Sequence, residues 1–119
     1  METFTYPIEI ADFNSLRSQG IEAIVNTGVF FTIAPSALLR ELAIERIGTR
    51  PFQLADRRRL EMSIGHASVT IDGRSGITIV AFGDDNEPML LGEYTLIGLA
   101  LAPDPVGQRF VSLEPLPLY

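Results

Sequence analysis

Few side chains in this sequence are suited to chemistry. Cysteine is missing, which removes thiol nucleophiles, disulfides and Cys-based zinc sites. Lysine is missing too, and all nine basic residues are arginine, so a P-loop lysine, Schiff-base chemistry and a Ser-Lys dyad are excluded. His66 is the one histidine, so a multi-histidine metal site cannot form within one chain. With no Gly-x-Ser-x-Gly elbow in the sequence, His66 reads as a solvated strand residue. Asp84-Asp85-Asn86-Glu87 lacks the Asp-x-Asp-x-Asp-Gly spacing and terminal glutamate of a calcium loop and reads as a solvated loop. No metal and no cofactor is expected. What remains is Asn26-Thr27-Gly28, an amide, a hydroxyl and a residue without a Cβ, closing an apolar run. Taken alone, it is ordinary tight-turn material.

The elements around that triplet follow from pattern. Residues 4–10 alternate apolar and polar side chains through Phe4, Tyr6, Ile8 and Ile10, as a half-buried strand does, and Pro7 argues for an edge position. Residues 11–20 read as polar turn and 21–25 as a second strand that stops at Asn26-Thr27-Gly28. Residues 29–34 read as extended, and Pro35-Ser36 opens a helix over 36–43 with Leu38, Leu39 and Leu42 on its inner face. Residues 45–51 read as connecting chain. Residues 52–54 and 60–64 flank a charged tip at 55–59, which predicts a protruding hairpin. A second hairpin turns at Asp72-Gly73, between 68–71 and a strand at 77–82 expected to be buried on both faces. After the acidic loop at 83–88, Met89-Leu90-Leu91-Gly92 is a short buried strand. A helix over 93–101 then turns Leu96, Ile97, Ala100 and Leu101 inward. A turn at 104–107 leads to a last strand at 109–113, and Pro115 and Pro117 make 114–119 an extended tail. The sum is one domain over 1–119, an all-β or β-dominated fold built as a small closed barrel with one or two short helices.

Length and charge limit the partners. The chain has 119 residues, enough for one ordinary core. Its net charge of −6 is the wrong sign for a nucleic-acid or anionic-membrane binder, and Arg57-Arg58-Arg59 is too small a cluster to reverse that. The longest uncharged stretch, 23–39, is interrupted by Asn26, Gly28, Pro35 and Ser36 and falls short of the roughly 20 apolar residues of a membrane span. Met1-Glu2-Thr3 has neither a basic start nor an apolar core, so no signal peptide is read there and a cytoplasmic address is expected.

The segment Ala23-Ile24-Val25-Asn26-Thr27-Gly28-Val29-Phe30-Phe31-Thr32-Ile33-Ala34-Pro35 resembles the active-site segment of retroviral-type (retropepsin-like) aspartic peptidases, in which an apolar strand runs into Asp-Thr-Gly. Leu90-Leu91-Gly92, 64 to 66 residues after Asn26, resembles that family's second signature, two apolar residues and a glycine heading a helix. Leu54-Ala55-Asp56-Arg57 stands where bacterial members carry Leu-Ala-Asp-Gly in the flap hairpin, and Asp104-Pro105 also recurs in them. These four landmarks, in order, span nearly the whole chain. The resemblance implies a retropepsin-like acid-protease fold. It also implies an aspartic endopeptidase that works as a homodimer, its active site on the two-fold axis. In such a dimer two aspartates share a proton and activate water, because adjacent like charges do not ionise together comfortably. Transferred residue by residue, it puts the catalytic position at Asn26, with Thr27 bracing the two loops and Gly28 giving the substrate room. Val29, Leu54, Ala55, Asp56 and Arg57 are then expected to touch an extended peptide, which the flap pairs with as an added strand. Leu90, Leu91 and Gly92 are expected to support the catalytic loop.

The central departure is Asn26, which stands where the family has aspartate. An amide keeps the size and hydrogen bonding of the carboxylate but does not take a proton from water near neutral pH. Losing a positioned base costs about 10² to 10⁴ in rate, so the chain as it stands is expected to be inactive. Val29 adds bulk where the family has alanine or serine. Arg57 replaces a flap-tip glycine, and because positive φ is unfavourable for arginine, another turn or a looser tip is expected there. The Gly92-Glu93-Tyr94 segment lacks the arginine many retroviral members place after the glycine. Three function classes fit these residues: a peptidase with its aspartate replaced, a non-catalytic peptide-binding pseudo-peptidase on the same fold, and an unrelated ligand-binding barrel.

Overall fold

The computed structural model describes residues 3–26, 28–53 and 56–117. Among these residues, nine strands and two short helices follow in the order β1 (Phe4–Asp12), β2 (Ser18–Val25), β3 (Thr32–Pro35), α1 (Ser36–Glu41), β4 (Gly48–Gln53), β5 (Arg59–Ile71), β6 (Arg74–Gly83), β7 (Met89–Leu91), α2 (Glu93–Gly98), β8 (Leu101–Asp104) and β9 (Arg109–Ser112). The main sheet runs β1-β2-β7-β3-β6-β5-β4, and β5 also pairs with β1. That return pairing, Glu9↔Thr70 to Asp12↔Ala67, closes six strands into a barrel and leaves β4 as an arm extending from β5. β8 and β9 form a separate two-stranded ribbon. The β-dominated closed barrel expected from the sequence is thus the observed fold.

Period-2 alternation explains β1: Phe4, Ile8 and Ile10 turn into the core while Thr5, Pro7 and Glu9 face out. Pro7 does lie where β1 has a single neighbour, opposite Glu22 of β2, because pairing with β5 begins only at Glu9. The core fills from all sides with Val25, Leu39, Val69, Ile71, Val80, Met89, Leu91 and Leu96. Leu38, Leu39 and Leu42 are buried as α1's spacing requires. This helix is shorter than expected. Ala43 adopts a left-handed φ of 58°, and the Ile44 N–H returns to the Leu39 carbonyl, a hydrogen-bonded stop that ends α1 early.

Four further expectations need correction. Residues 11–20 are only half turn: the turn is confined to 13–17, since β1 runs to Asp12 and β2 begins at Ser18. Residues 48–51 are strand and not connecting chain. The Gly48–Gln53 segment is exposed and carries no apolar alternation, because it is held by backbone pairing to β5. Ile77 is 57% exposed, so β6 is not buried on both faces along its length, and Ile97 is 56% exposed instead of facing inward. The second helix ends at Gly98 and Ala100 turns left-handed at φ 57°; Leu96, Ala100 and Leu101 are buried as expected, the last two beyond the helix, and Leu99 is buried in place of Ile97. No helix among the described residues is long and apolar enough to cross a membrane.

Candidate functional site

Asn26 leaves the end of β2 beside β7. Its N–H donates to the Leu91 carbonyl at 3.3 Å, continuing the parallel pairing Val25↔Leu91. Its side-chain Oδ1 accepts the Gly28 N–H at 2.9 Å, and its carbonyl accepts the Val29 N–H at 3.1 Å. The asparagine therefore builds the turn it occupies, an Asx-turn closed by its own amide oxygen. A carboxylate oxygen could accept the same N–H. Asn26 and Val29 are half-buried, and Gly28 is exposed. Thr27, Leu54 and Ala55 lie outside the described residues.

Beneath this loop lies the second motif. Leu90 pairs with Ile24 of β2 and Ile33 of β3, so β7 is wedged between the strands that enter and leave the loop. The first N–H groups of α2 take carbonyls from the loop: Glu93 N–H donates to Val29 O and Tyr94 N–H to Phe30 O, both at 2.9 Å. Residues 29–31 are therefore not strand as expected, because Val29 and Phe30 give their carbonyls to the start of the helix. Gly92 makes that approach possible. A Cβ on it would meet Phe30 O at 2.5 Å and the Phe31 carbonyl carbon and oxygen at 2.6 and 2.8 Å.

Three buried threonines complete the support. Thr32 Oγ1 accepts the Gly92 N–H at 3.0 Å and lies 2.6 Å from the Thr95 hydroxyl, which is 2.9 Å from the Thr78 hydroxyl. β3, α2 and β6 are thereby tied at the point where the loop rests on them. Sequence reading missed all three. In strand segments threonine reads as an outward residue, and here the usual order is inverted, with Thr78 buried beside an exposed Ile77. The one signal was position: Thr95 follows Gly92 by three residues, on the face that α2 turns inward.

An aromatic group flanks the loop. Phe31 packs on Phe30, Tyr94 and Phe52, with ring centroids 5.1, 5.3 and 5.9 Å apart, and Phe30 packs on Tyr94 at 5.6 Å. Phe52 belongs to β4, so this contact joins the arm to the loop segment. Phe30, Ile77, Tyr94 and Ile97 also line an apolar groove of about 400 Å³. A second cavity of about 240 Å³, lined in part by Asp12, Phe13, Glu45 and His66, shares no residue with the loop.

The arm is the hairpin expected from the sequence, with longer sides, pairing Gly48↔Ile64 through Gln53↔Arg59. Asp56 and Arg57 stand at its exposed tip. Asp56 accepts the Arg58 backbone N–H at 3.1 Å and pairs with Arg58 Nε at 2.6 Å. Arg57 corrects an expectation: it adopts φ 70°, the left-handed conformation glycine would take, so the turn is retained despite the side chain. Among the described residues no hydrogen bond joins Asp56 or Arg57 to the Asn26 loop, and the Phe52–Phe31 contact brings the arm to it. His66 is an exposed residue of β5, as expected. The acidic loop at 83–88 has a local task, since Asp85 accepts the Ala37 N–H in the first turn of α1 at 2.7 Å.

No protein-family model and no curated protein matches the sequence. Solved structures do match in fold. The protease of simian foamy virus (mac) is 17% identical, covers 83% of this chain and all of its own, and superposes with a TM-score of 0.55. The equine infectious anaemia virus (EIAV) protease, solved with the inhibitor HBY-793, is 18% identical over 82% of this chain and 88% of its own, at 0.61. A retropepsin-like aspartic protease from Rickettsia conorii is 19% identical over 86% and 87%, at 0.53. At these identities the likeness defines the fold: a closed barrel of the retropepsin-like protease type.

Proposed function

We propose that this chain is a retropepsin-like aspartic peptidase scaffold, one domain with a tail from residue 114, in which Asn26 occupies the catalytic aspartate position. The observation that carries this reading is the turn from Asn26 to Gly28 at the end of β2, seated beside Leu91, Gly92 and the start of α2. One chain supplies one such turn, so the working site is assembled by two copies facing across a two-fold axis. An extended peptide lies between the paired loops and the two arms, which act as flaps. With aspartates at the centre, one carboxylate would take a proton from water as it attacks the scissile carbonyl, and the other would hold the carbonyl oxygen. Asn26 keeps the turn and its hydrogen bond to Gly28 but supplies no base, so the chain as it stands binds peptide without cutting it.

Val29, Leu54, Ala55, Asp56 and Arg57 are the peptide-contacting residues of this reading, and Thr27 braces the paired loops. Sedimentation equilibrium tests the assembly. The expected mass is twice the 13.1 kDa of one chain. A mass of one chain at micromolar concentration, with or without an extended peptide, contradicts the proposal.

A further inference from the structure

The tip of the arm carries a charge whose purpose the peptidase reading does not specify. Residues 48–64 hold Arg50, Arg57, Arg58 and Arg59 against Asp56 and Glu61, a net positive arm on a chain of net charge −6. Arg58 is neutralised by Asp56. Arg57 and Arg59, like Arg17, Arg46 and Arg50, form no salt bridge among the described residues, whereas Arg40, Arg58, Arg74 and Arg109 each have a carboxylate partner. Arg57 moreover holds a left-handed backbone, a conformation that disfavours any side chain with a Cβ. Such a conformation at an exposed cationic residue raises the question of what the side chain contributes that glycine would not.

The inner and outer faces of the arm differ. Directly paired residues share a face, so Phe52 and Leu60 lie together, and the Phe52–Phe31 contact identifies theirs as the side toward the loop. Gln53 and Arg59 lie on the other side. The surface over the loop is thus apolar along the strands and cationic at the end. We infer that Arg57, at the tip of the arm in each of two copies, selects extended peptides with apolar residues at the centre and carboxylate side chains at the flanks. Resting on the peptide-cleft reading above, this inference adds the class of peptide. An arginine at a hairpin tip reaches the flanks of a bound strand and pairs with a carboxylate through charge-assisted hydrogen bonds, and the net positive arm attracts acidic peptides to a body that would otherwise repel them.

The test uses the chain as it stands and two fluorescein-labelled ten-residue peptides. One has a Phe-Leu centre flanked on each side by two glutamates, and the other has glutamines at the same four positions. Fluorescence anisotropy at low salt is expected to show the glutamate peptide bound about fivefold to tenfold more tightly, given two exposed ion pairs of modest strength. The ratio should shrink toward one at 0.5 M salt, where charges are screened within roughly 4 Å. It should also collapse in Arg57→Glu and Arg57→Gly and largely survive in Arg57→Lys. Equal binding of the two peptides, or a ratio unchanged by Arg57→Glu, overturns the selection while leaving the peptide cleft intact. Failure of both peptides to bind overturns both. If Arg57→Glu instead splits the two-chain assembly and leaves the ratio unchanged, the arginines serve the second copy and the inference fails.

Discussion

At Gly92 the backbone runs so close to the Phe30 and Phe31 carbonyls that a single methyl group would sit 2.5 to 2.8 Å from three of their atoms. Those atoms are main chain, and Phe30 O is held by the Tyr94 N–H, so neither side can yield cheaply. Gly92→Ala is expected to cost on the order of 3 kcal/mol, read as a lowered denaturation midpoint. A variant as stable as the parent would mean the loop is not seated as described. Thr95 poses the complementary case, of lost bonding in place of added bulk. Thr95→Val keeps the shape but removes the hydroxyl shared by Thr32 and Thr78, leaving Thr78 without its buried partner. The expected loss is about 1–3 kcal/mol in chemical denaturation, and an unchanged midpoint would contradict the bonding described.

Elements differ in how much of their stability depends on ionised groups. The β8–β9 ribbon turns on Asp104, whose carboxylate accepts the Gly107 N–H at 3.1 Å and the Arg109 Nε–H at 3.2 Å. The Gly107 hydrogen bond, and after it Arg109, holds this carboxyl below the usual aspartate value. A lowered value in the folded state means the ribbon gains stability above the ordinary aspartate range and loses it as pH falls below that range. The Gly107 amide resonance is therefore expected to titrate with a midpoint below that of an ordinary aspartate, and Asp104→Asn should abolish the titration. A midpoint at or above the ordinary aspartate value would contradict the assignment.

The turn and second strand of this ribbon were legible in the sequence, because Asp104-Pro105-Val106-Gly107 is turn chemistry before an apolar run. Its first strand, β8, was not, since Leu101 reads as the end of the helix. The hairpin at Asp72-Gly73 was legible too, and it pairs β5 with β6 in register from Ile64↔Ala81 to Ile71↔Arg74. What escaped was whatever depends on a distant partner. The irregular path of residues 29–31 is dictated by N–H groups some 60 residues further along, and β4 is a strand only because β5 is there to pair with it. Thr32, Thr78 and Thr95 escaped for the same reason, since their burial is set by the meeting of three elements. In the candidate site, Asn26 and Leu90-Leu91-Gly92 could be singled out by spacing, but the aromatic group of Phe30, Phe31, Phe52 and Tyr94 could not.

On the scale of the whole molecule, the barrel places one Asn26 turn at the end of β2 and supports it from below with β7 and α2, a scaffold shared in fold with the simian foamy virus, EIAV and Rickettsia proteases. The account's central claim is that this scaffold lacks nothing for peptide hydrolysis except a carboxylate at residue 26. Asn26→Asp keeps an oxygen where the Gly28 N–H needs an acceptor, so the turn should survive the change. The decisive measurement is cleavage of a peptide library from pH 3 to 7 by the chain as it stands and by Asn26→Asp, each verified as folded. The expected result is cleavage by the aspartate variant alone, blocked by a statine-type transition-state mimic. If neither protein cuts any peptide while both form folded two-chain assemblies, the peptidase account is contradicted.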